Sequence, residues 1–360
     1  MTIRRGALLG FGNVAAQGHV PAWGDRRDFQ IVAVADPDPQ RRALAARLLP
    51  AAHLYADAAT LLEQERLDFV DIATPPALHA SQVAAAAATG CHILCEKPLA
   101  TSWSDHERAA AAVRASGATL FTVHNWKHAA QFRHVATLLA DGALGRLRRI
   151  RFDVIRNGQA VSVGSAWRTQ ASLAGGGILV DHGWHAFYLL LALAGERPQQ
   201  ISASIERRRD TAGDVEDTAS CTVEFPSLVG ELWLTWAGSE RRTRWQLVGE
   251  RGSVEVEEDR LELRRGGVTE HIVFPQSLSA GSHHPDWFGG VIDGFKREVT
   301  LPSVRGENLA EAELCLLLTT LAYESARQGR PVTLPAEPPL ASTAASNAGR
   351  AAPVEVGPSA

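Results

Sequence analysis

The stretch Ala7-Leu8-Leu9-Gly10-Phe11-Gly12-Asn13-Val14-Ala15 decides the fold. A short apolar run ends in a glycine-x-glycine loop and leads into a helix starting near Asn13. In that arrangement Gly10 allows a tight turn, Gly12 lets the backbone approach a pyrophosphate, and Ala15 lets the helix pack closely on the strand. The N–H groups and dipole of the helix N-terminus then favour phosphate. The next apolar run, 31–35, ends in Asp36, at the distance where an acidic residue takes ribose hydroxyls and repels a 2′-phosphate. Loop and carboxylate together predict a dinucleotide site that prefers NAD. Arg41 and Arg42, just past the strand, keep NADP open.

Working outward, apolar runs at 7–9, 31–35, 69–73, 92–95 and 120–123 alternate with helical stretches at 39–49, 77–88 and 104–115. Strand-helix repetition of this kind implies right-handed crossovers and a doubly wound parallel sheet covered on both faces. Beyond Asn125 the pattern changes. After a helix at 130–139, short strand-like segments at 149–154, 201–207, 219–225, 230–236, 245–248, 253–256 and 261–263 follow one another between turn signals. They predict a largely antiparallel open sheet, packed with helices at 287–298 and 309–328. Within 231–236 apolar groups fall on both faces, which points to a subunit contact and a homodimer or homotetramer through this sheet. The expected division is therefore a Rossmann domain at 1–125, an α+β substrate-binding and oligomerisation domain at 126–335, and a disordered tail at 336–360 rich in Ala, Pro, Ser and Gly.

Composition excludes several classes. With 36 basic and 40 acidic residues well mixed and a net charge of -4, no long-range field favours nucleic acid or an anionic membrane. No run of eighteen apolar residues occurs, and the N-terminus lacks the apolar stretch and cleavage site of a signal peptide. Cys91, Cys95, Cys221 and Cys315 sit inside apolar runs without zinc-like or disulfide-framework spacing. A cytoplasmic protein with a small-molecule partner is expected.

Chemistry concentrates in two places. Lys97, in Cys91-His92-Ile93-Leu94-Cys95-Glu96-Lys97-Pro98-Leu99, follows a short strand at the edge of the sheet where ligands collect. Thr74-Pro75-Pro76 is a second strand-end loop on the same edge, expected to wall a nicotinamide pocket. In the second half, Gly175-Gly176-Gly177 precedes Asp181-His182-Gly183-Trp184-His185. Asp181 and His185 are four apart, so on a helix they share one face. Asp181, His182, His185 and the distant His283-His284 are plausible ligand types, but they form no extended ligand motif, and no metal centre is expected. Arg168, Lys127 and Arg133 are available to an anionic substrate group.

Taken together, the glycine loop, Glu96-Lys97-Pro98, Trp167-Arg168, the 175–185 element and Ser282-His283-His284-Pro285-Asp286-Trp287 resemble the glucose-fructose oxidoreductase / inositol dehydrogenase / rhizopine-catabolism (Gfo/Idh/MocA) family, collinearly over roughly residues 5–334. The resemblance implies a nicotinamide cofactor and redox chemistry at a hydroxyl-bearing carbon, usually of a sugar or cyclic polyol. It makes Lys97, Asp181 and His185 the expected catalytic groups. Cofactor contacts are expected from Gly10, Phe11, Gly12, Asn13, Val14, Asp36, Arg41, Thr74, Pro75, His79, Glu96 and Lys97. Substrate contacts are expected from Lys127, Trp167, Arg168 and His185. The chain departs from the family at Tyr188, where an aspartate is common, and at Asn125-Trp126-Lys127, where an arginine is. In the oxidative direction His185 is expected to act as general base, Lys97 to stabilise the alkoxide, and Asp181 to orient a neighbouring hydroxyl or the imidazole. Two other readings use the same residues: an NAD-dependent glycoside hydrolase working by transient oxidation, and a dinucleotide-sensing regulator without chemistry.

Overall fold

The computed structural model describes residues 3–158, 167–209 and 213–336. The expected disordered tail lies, from 337 onward, outside the described residues. The first sheet is built from β1 (Arg4–Leu9), β2 (Phe29–Ala35), β3 (His53–Tyr55), β4 (Phe69–Ile72), β5 (His92–Cys95) and β6 (Leu120–Thr122) in the order β3-β2-β1-β4-β5-β6. Every neighbouring pair is parallel. Strand order reverses between β1 and β4, which opens a crevice beside Gly10 at the carboxyl ends of the strands. The helices between them start and stop where local chemistry dictates. Asp38 caps Pro39–Leu48 by accepting from the Gln40 N–H at 2.8 Å, with proline at the first helical position. Ser102 caps Trp103–Ser116, which Gly117 ends in the left-handed conformation. The helix expected from residue 77 begins at His79, because Pro76–Leu78 forms a separate 3-10 turn.

The second sheet comprises β7 (Leu147–Asn157), β8 (Gln200–Glu206), β9 (Thr218–Glu224), β10 (Val229–Thr235), β11 (Ala237–Gly249), β12 (Gly252–Glu257), β13 (Arg260–Arg265), β14 (Val268–Val273) and β15 (Val332–Thr333), in the order β14-β13-β12-β11-β7-β10-β9-β8-β15. All pairs are antiparallel except β7 with β10. Along β7, Ile150, Phe152, Val154 and Arg156 alternate inward. On β10, Leu232 and Leu234 point into the core. The outward face is less apolar than expected. It is laced by the ion pairs Arg149–Glu231, Arg151–Asp153 and Arg244–Glu255, and Trp233 lies half-buried with the Arg208 guanidinium 4.9 Å from its ring centre.

Packing does not follow chain order. The helix Pro285–Thr300 lies against the first sheet, where Phe288, Val291, Ile292, Phe295 and Val299 share one core with Leu8, Phe11, Phe29, Phe69 and Phe121. Phe295 meets Phe29, Phe69 and Phe121 at ring separations of 6.0–6.3 Å, contacts worth about 0.5–1.5 kcal/mol per aromatic pair beyond area burial. The helix Glu307–Gln328 touches both sheets, packing on β8 and on β6. Only the stretch Ala171–Ala194 is, among the described residues, long and apolar enough to cross a membrane, and 72% of its most apolar 18-residue window is buried within the fold.

Candidate active site

The site is built where the strand ends of the first sheet meet the second sheet. Val14 after β1, Thr74 after β4, Glu96 and Lys97 after β5, and Asn125 and Trp126 after β6 line one cavity with Trp167, Arg168, Asp181, His182, His185 and the 281–284 segment. Lys97 spans it. Its Nζ donates to Asp181 Oδ1 at 2.7 Å and to the Asp181 main-chain oxygen at 2.9 Å. Burial pushes the Asp181 carboxyl up, but Lys97 and His182 hold it well below the ordinary carboxylate range. The Lys97-Pro98 peptide is cis.

Behind Lys97 stands a residue that sequence reasoning missed. The chain after the phosphate loop begins with a π-helical turn, Ala15–His19, which places His19 fully buried between two carboxylates. Its Nδ1 lies 2.9 Å from Asp71 Oδ2 and its Nε2 lies 3.0 Å from Glu96 Oε1. Burial lowers the His19 pKa, but Asp71 and Glu96 outweigh it and raise it to about 9. The imidazolium therefore ties the ends of β4 and β5 together and fixes Glu96, whose Oε2 accepts from the Lys97 N–H at 3.0 Å. A lone histidine in a short helix gives no sequence signal for this.

His185 opens onto the same cavity but is not partnered by Asp181. Leu179–Gly183 forms a second π-helical turn before the helix Trp184–Ala194, and Asp181 and His185 line the one cavity without a direct hydrogen bond. Asp181 instead pairs with Lys97 and, at 3.3 Å, with His182. His185 Nδ1 meets the Tyr188 hydroxyl at 2.7 Å, and that hydroxyl accepts from the Trp126 N–H at 3.0 Å. Trp126 stacks on the His185 ring at 5.0 Å. Tyr188 thus occupies the place where the family commonly has an aspartate, and holds the imidazole without adding charge.

The remaining expected residues divide. Trp167 and Arg168 line the cavity, with the guanidinium over the indole at 4.2 Å. Lys127 does not line it: its ammonium pairs with Glu311, which His124 also contacts at 2.9 Å. Arg133 is exposed and lies away from the cavity. His79 is fully buried and touches main chain only, with Nδ1 2.8 Å from the Pro98 oxygen and Nε2 2.8 Å from the Thr74 oxygen. It positions the Thr74 loop and the Lys97-Pro98 segment rather than meeting a ligand. Phe11 has its ring in the core, and its N–H donates to Asp36 Oδ2 at 2.7 Å. Asp36 thereby clamps the loop, and its Oδ1 accepts from the Asp38 N–H. Arg42 is taken up by the carbonyl oxygens of Asp36 and Pro37, whereas Arg41 has no hydrogen bond or ion pair among the described residues. Pro75 leads into the 3-10 turn beside Thr74, and Asn13 sits at the helix start. His284 stacks on Trp287 at 3.6 Å, and no group of three or more metal-ligating side chains gathers among the described residues.

The loop geometry fits a dinucleotide. Gly10 has φ +85°, and a Cβ there meets Thr74 Cγ2 at 2.8 Å and the Ala73 oxygen at 2.9 Å, so the protein itself demands glycine. A Cβ on Gly12 meets nothing within 4 Å. Protein packing does not require that glycine, but a ligand lying across it does. Gly12→Val is therefore expected to leave the thermal midpoint of the cofactor-free protein unchanged while weakening NAD binding at least about tenfold. Fluorescence titration and thermal melts measure the two effects, and equal NAD affinity in the variant contradicts the assignment.

The sequence of residues 4–124 matches the oxidoreductase family with an NAD-binding Rossmann fold, and 132–255 matches the Gfo/Idh/MocA C-terminal domain. The chain belongs to the Gfo/Idh/MocA oxidoreductase family. It is 29% identical to a D-apiose dehydrogenase of Paraburkholderia graminis over 97% of this chain and 96% of the relative. It is 26% identical to an NADP+-dependent scyllo-inositol 2-dehydrogenase of Bacillus subtilis over 87% of this chain and 93% of the relative. Its fold matches that of an Agrobacterium radiobacter oxidoreductase crystallised with NAD+, L-tartaric acid and magnesium, with TM-score 0.80, 24% identity, and coverage of 92% of this chain and 98% of that one. This Gfo/Idh/MocA protein is an NAD(P)-dependent oxidoreductase acting on CH–OH groups.

Proposed function

We propose that Lys97, Asp181 and His185 carry this oxidoreductase chemistry, at a secondary hydroxyl of a sugar, cyclic polyol or related small molecule. One observation supports this above others: the Lys97 ammonium from the first sheet and the Asp181 carboxylate from the second half close across a single cavity that His185 also lines. Bound nicotinamide supplies the hydride acceptor at its C4. Lys97 offers a fixed, largely buried cation to the oxygen on which negative charge develops. Asp181 sets the direction of the ammonium. His185, with Nδ1 occupied by Tyr188, presents Nε2 to the hydroxyl proton.

The tyrosine suits both directions of reaction. When Nδ1–H donates to the Tyr188 oxygen, Nε2 is free to accept the alcohol proton. When the Tyr188 O–H donates to Nδ1, Nε2 carries the proton needed to reduce a ketone. A screen of cyclic polyols, aldoses and their phosphates with NAD and NADP separately tests the reading through absorbance of the reduced nicotinamide. Turnover with tightly held cofactor and no accumulating absorbance, together with release of an aglycone, points to the glycoside-hydrolase alternative.

A pH profile tests the base. Burial, followed by the charges of Lys97 and His182, holds the His185 pKa well below the ordinary 6.5. Oxidation needs the unprotonated ring, so kcat/KM is expected to stay level through neutrality and fall only below the usual histidine range. Tyr188→Asp places a carboxylate on Nδ1, favours the imidazolium, and is expected to move that acid limb upward. An acid limb that does not respond to this substitution removes His185 from the role.

We place the protein in the cytoplasm, where its four buried free thiols stay reduced. Self-association is assigned to the outward face of the second sheet around Trp233. Light scattering is expected to give at least twice the 38.7 kDa chain mass, and Trp233→Glu to lower it. A monomeric parent protein contradicts this.

A further inference from the structure

The cavity that Lys97 lines also holds cations that the chemistry above does not use. Arg156 is the inward residue that follows Val154 on β7, a position that alternation gives to the core, and it is only 2% exposed. Its guanidinium donates to the main-chain oxygens of Ile155 and Arg242 and to Thr243 Oγ1, while its Nε has no partner among the described residues. Arg241 lies on the adjacent strand β11, which pairs with β7, and lines the same cavity. Its guanidinium donates to the main-chain oxygens of Ser279 and Gly281 and, at 3.3 Å, to Ser282 Oγ. Every one of these hydrogen-bond acceptors is a neutral oxygen. Arg168 adds a third guanidinium to the lining.

No carboxylate among the described residues forms an ion pair with Arg156 or Arg241. Asp181 is committed to Lys97 and His182, and Glu96 to His19. Glu258 and Asp181 attract Arg156 and Arg241 from a distance, but the Glu258 oxygens accept from the N–H groups of Thr243 and Ser279 and from Ser277 Oγ. Arg156 and Arg241 repel one another, and burial with that repulsion brings Arg156 down to about 10. A buried cation is costly unless an anion joins it, and guanidinium groups that share one cavity lining are suited to receive paired oxygens.

We propose that Arg156 and Arg241, with Arg168, form a subsite for an anionic oxygen group, carboxylate or phosphate, carried by the substrate on the side away from the carbon being oxidised. The substrate class is then an acidic sugar or polyhydroxy acid, or a sugar phosphate, rather than a neutral sugar. This rests on the hydride-transfer reading above. The guanidinium groups anchor the acidic end so that the reacting hydroxyl falls between Lys97 and His185.

The test compares matched pairs on the cofactor-loaded full chain: D-glucuronate and D-glucose 6-phosphate against D-glucose, and D-galacturonate against D-galactose. An acidic member is expected to exceed its neutral counterpart in kcat/KM by about thirtyfold or more, the range of a charge-assisted hydrogen-bond pair. The uronate and phosphate arms show which anion fits. Arg241→Gln, at an exposed position, is expected to reduce the acid's kcat/KM at least about ten times more than the neutral sugar's. Calorimetric binding of the same compounds to the NADH-loaded protein gives a second readout. If nothing turns over but D-glucuronate or D-glucose 6-phosphate binds more tightly than D-glucose, and Arg241→Gln abolishes the difference, the anion subsite stands and the hydride-transfer reading falls. Absence of any preference for the anionic member, in both turnover and binding, overturns the subsite.

Discussion

Replacing Lys97 by alanine is expected to lower kcat/KM by about 10³-fold while leaving NAD affinity within about threefold. Removing a single preorganised donor to a developing oxyanion costs about 10²–10³, and here the donor is a full charge, so the upper end applies, about 4 kcal/mol. Its position is over-determined by two acceptors on Asp181, at 2.7 and 2.9 Å, and by the His19–Glu96 brace behind the Lys97 backbone. The loss falls on kcat more than on KM if the ammonium acts chiefly on the charge formed during reaction. Steady-state kinetics on the best substrate of the screen, with NAD titration in parallel, measures it. A variant that keeps kcat/KM within tenfold shows that Lys97 is not the oxyanion group.

Replacing Gly177 by alanine is expected to destabilise the cofactor-free protein by at least about 3 kcal/mol, a fall in Tm of about 4 °C or more. A Cβ at this residue lands 1.8 Å from the Glu216 main-chain oxygen, and backbone cannot yield as a side-chain tip does. The same contact orients chemistry. The Gly177 N–H donates to the Glu216 carboxylate, and Glu216 Oε1 also accepts from the Leu179 N–H and the Tyr323 hydroxyl. These bonds hold the start of the π turn that carries Asp181. A displaced turn loosens the Asp181 contact with Lys97, so activity should fall further than stability alone explains. An unchanged melting curve by calorimetry contradicts the close-approach argument.

The first sheet was legible because its strands are buried on both faces and so read as uninterrupted apolar runs bounded by helical stretches. Its edge strand β3 was not, since His53-Leu54-Tyr55 is mostly exposed and too short to show a period. β14 escaped for the same reason, with nearly every residue exposed. At the site, Gly10, Lys97 and Asp181 were readable from strand-end placement and glycine spacing. Lys127 was not, because its partner Glu311 lies 184 residues away in sequence. The bond between Asp181 and Lys97 was not readable either, because the two lie 84 residues apart in sequence. Arg156 did leave a signal: an arginine at the inward beat of a strand whose other inward residues are Ile150, Phe152 and Val154.

The helix Pro285–Thr300 has a consequence for how the chain is made. All six parallel strands have been synthesised once Thr122 has been added, yet Phe29, Phe69 and Phe121 lack part of their cover until Phe288, Phe295 and Val299 follow near the end of synthesis. A fragment cut at Asn125 therefore leaves to water the aromatic face that this helix covers. Recombination that exchanges this half between relatives must carry that late helix with it.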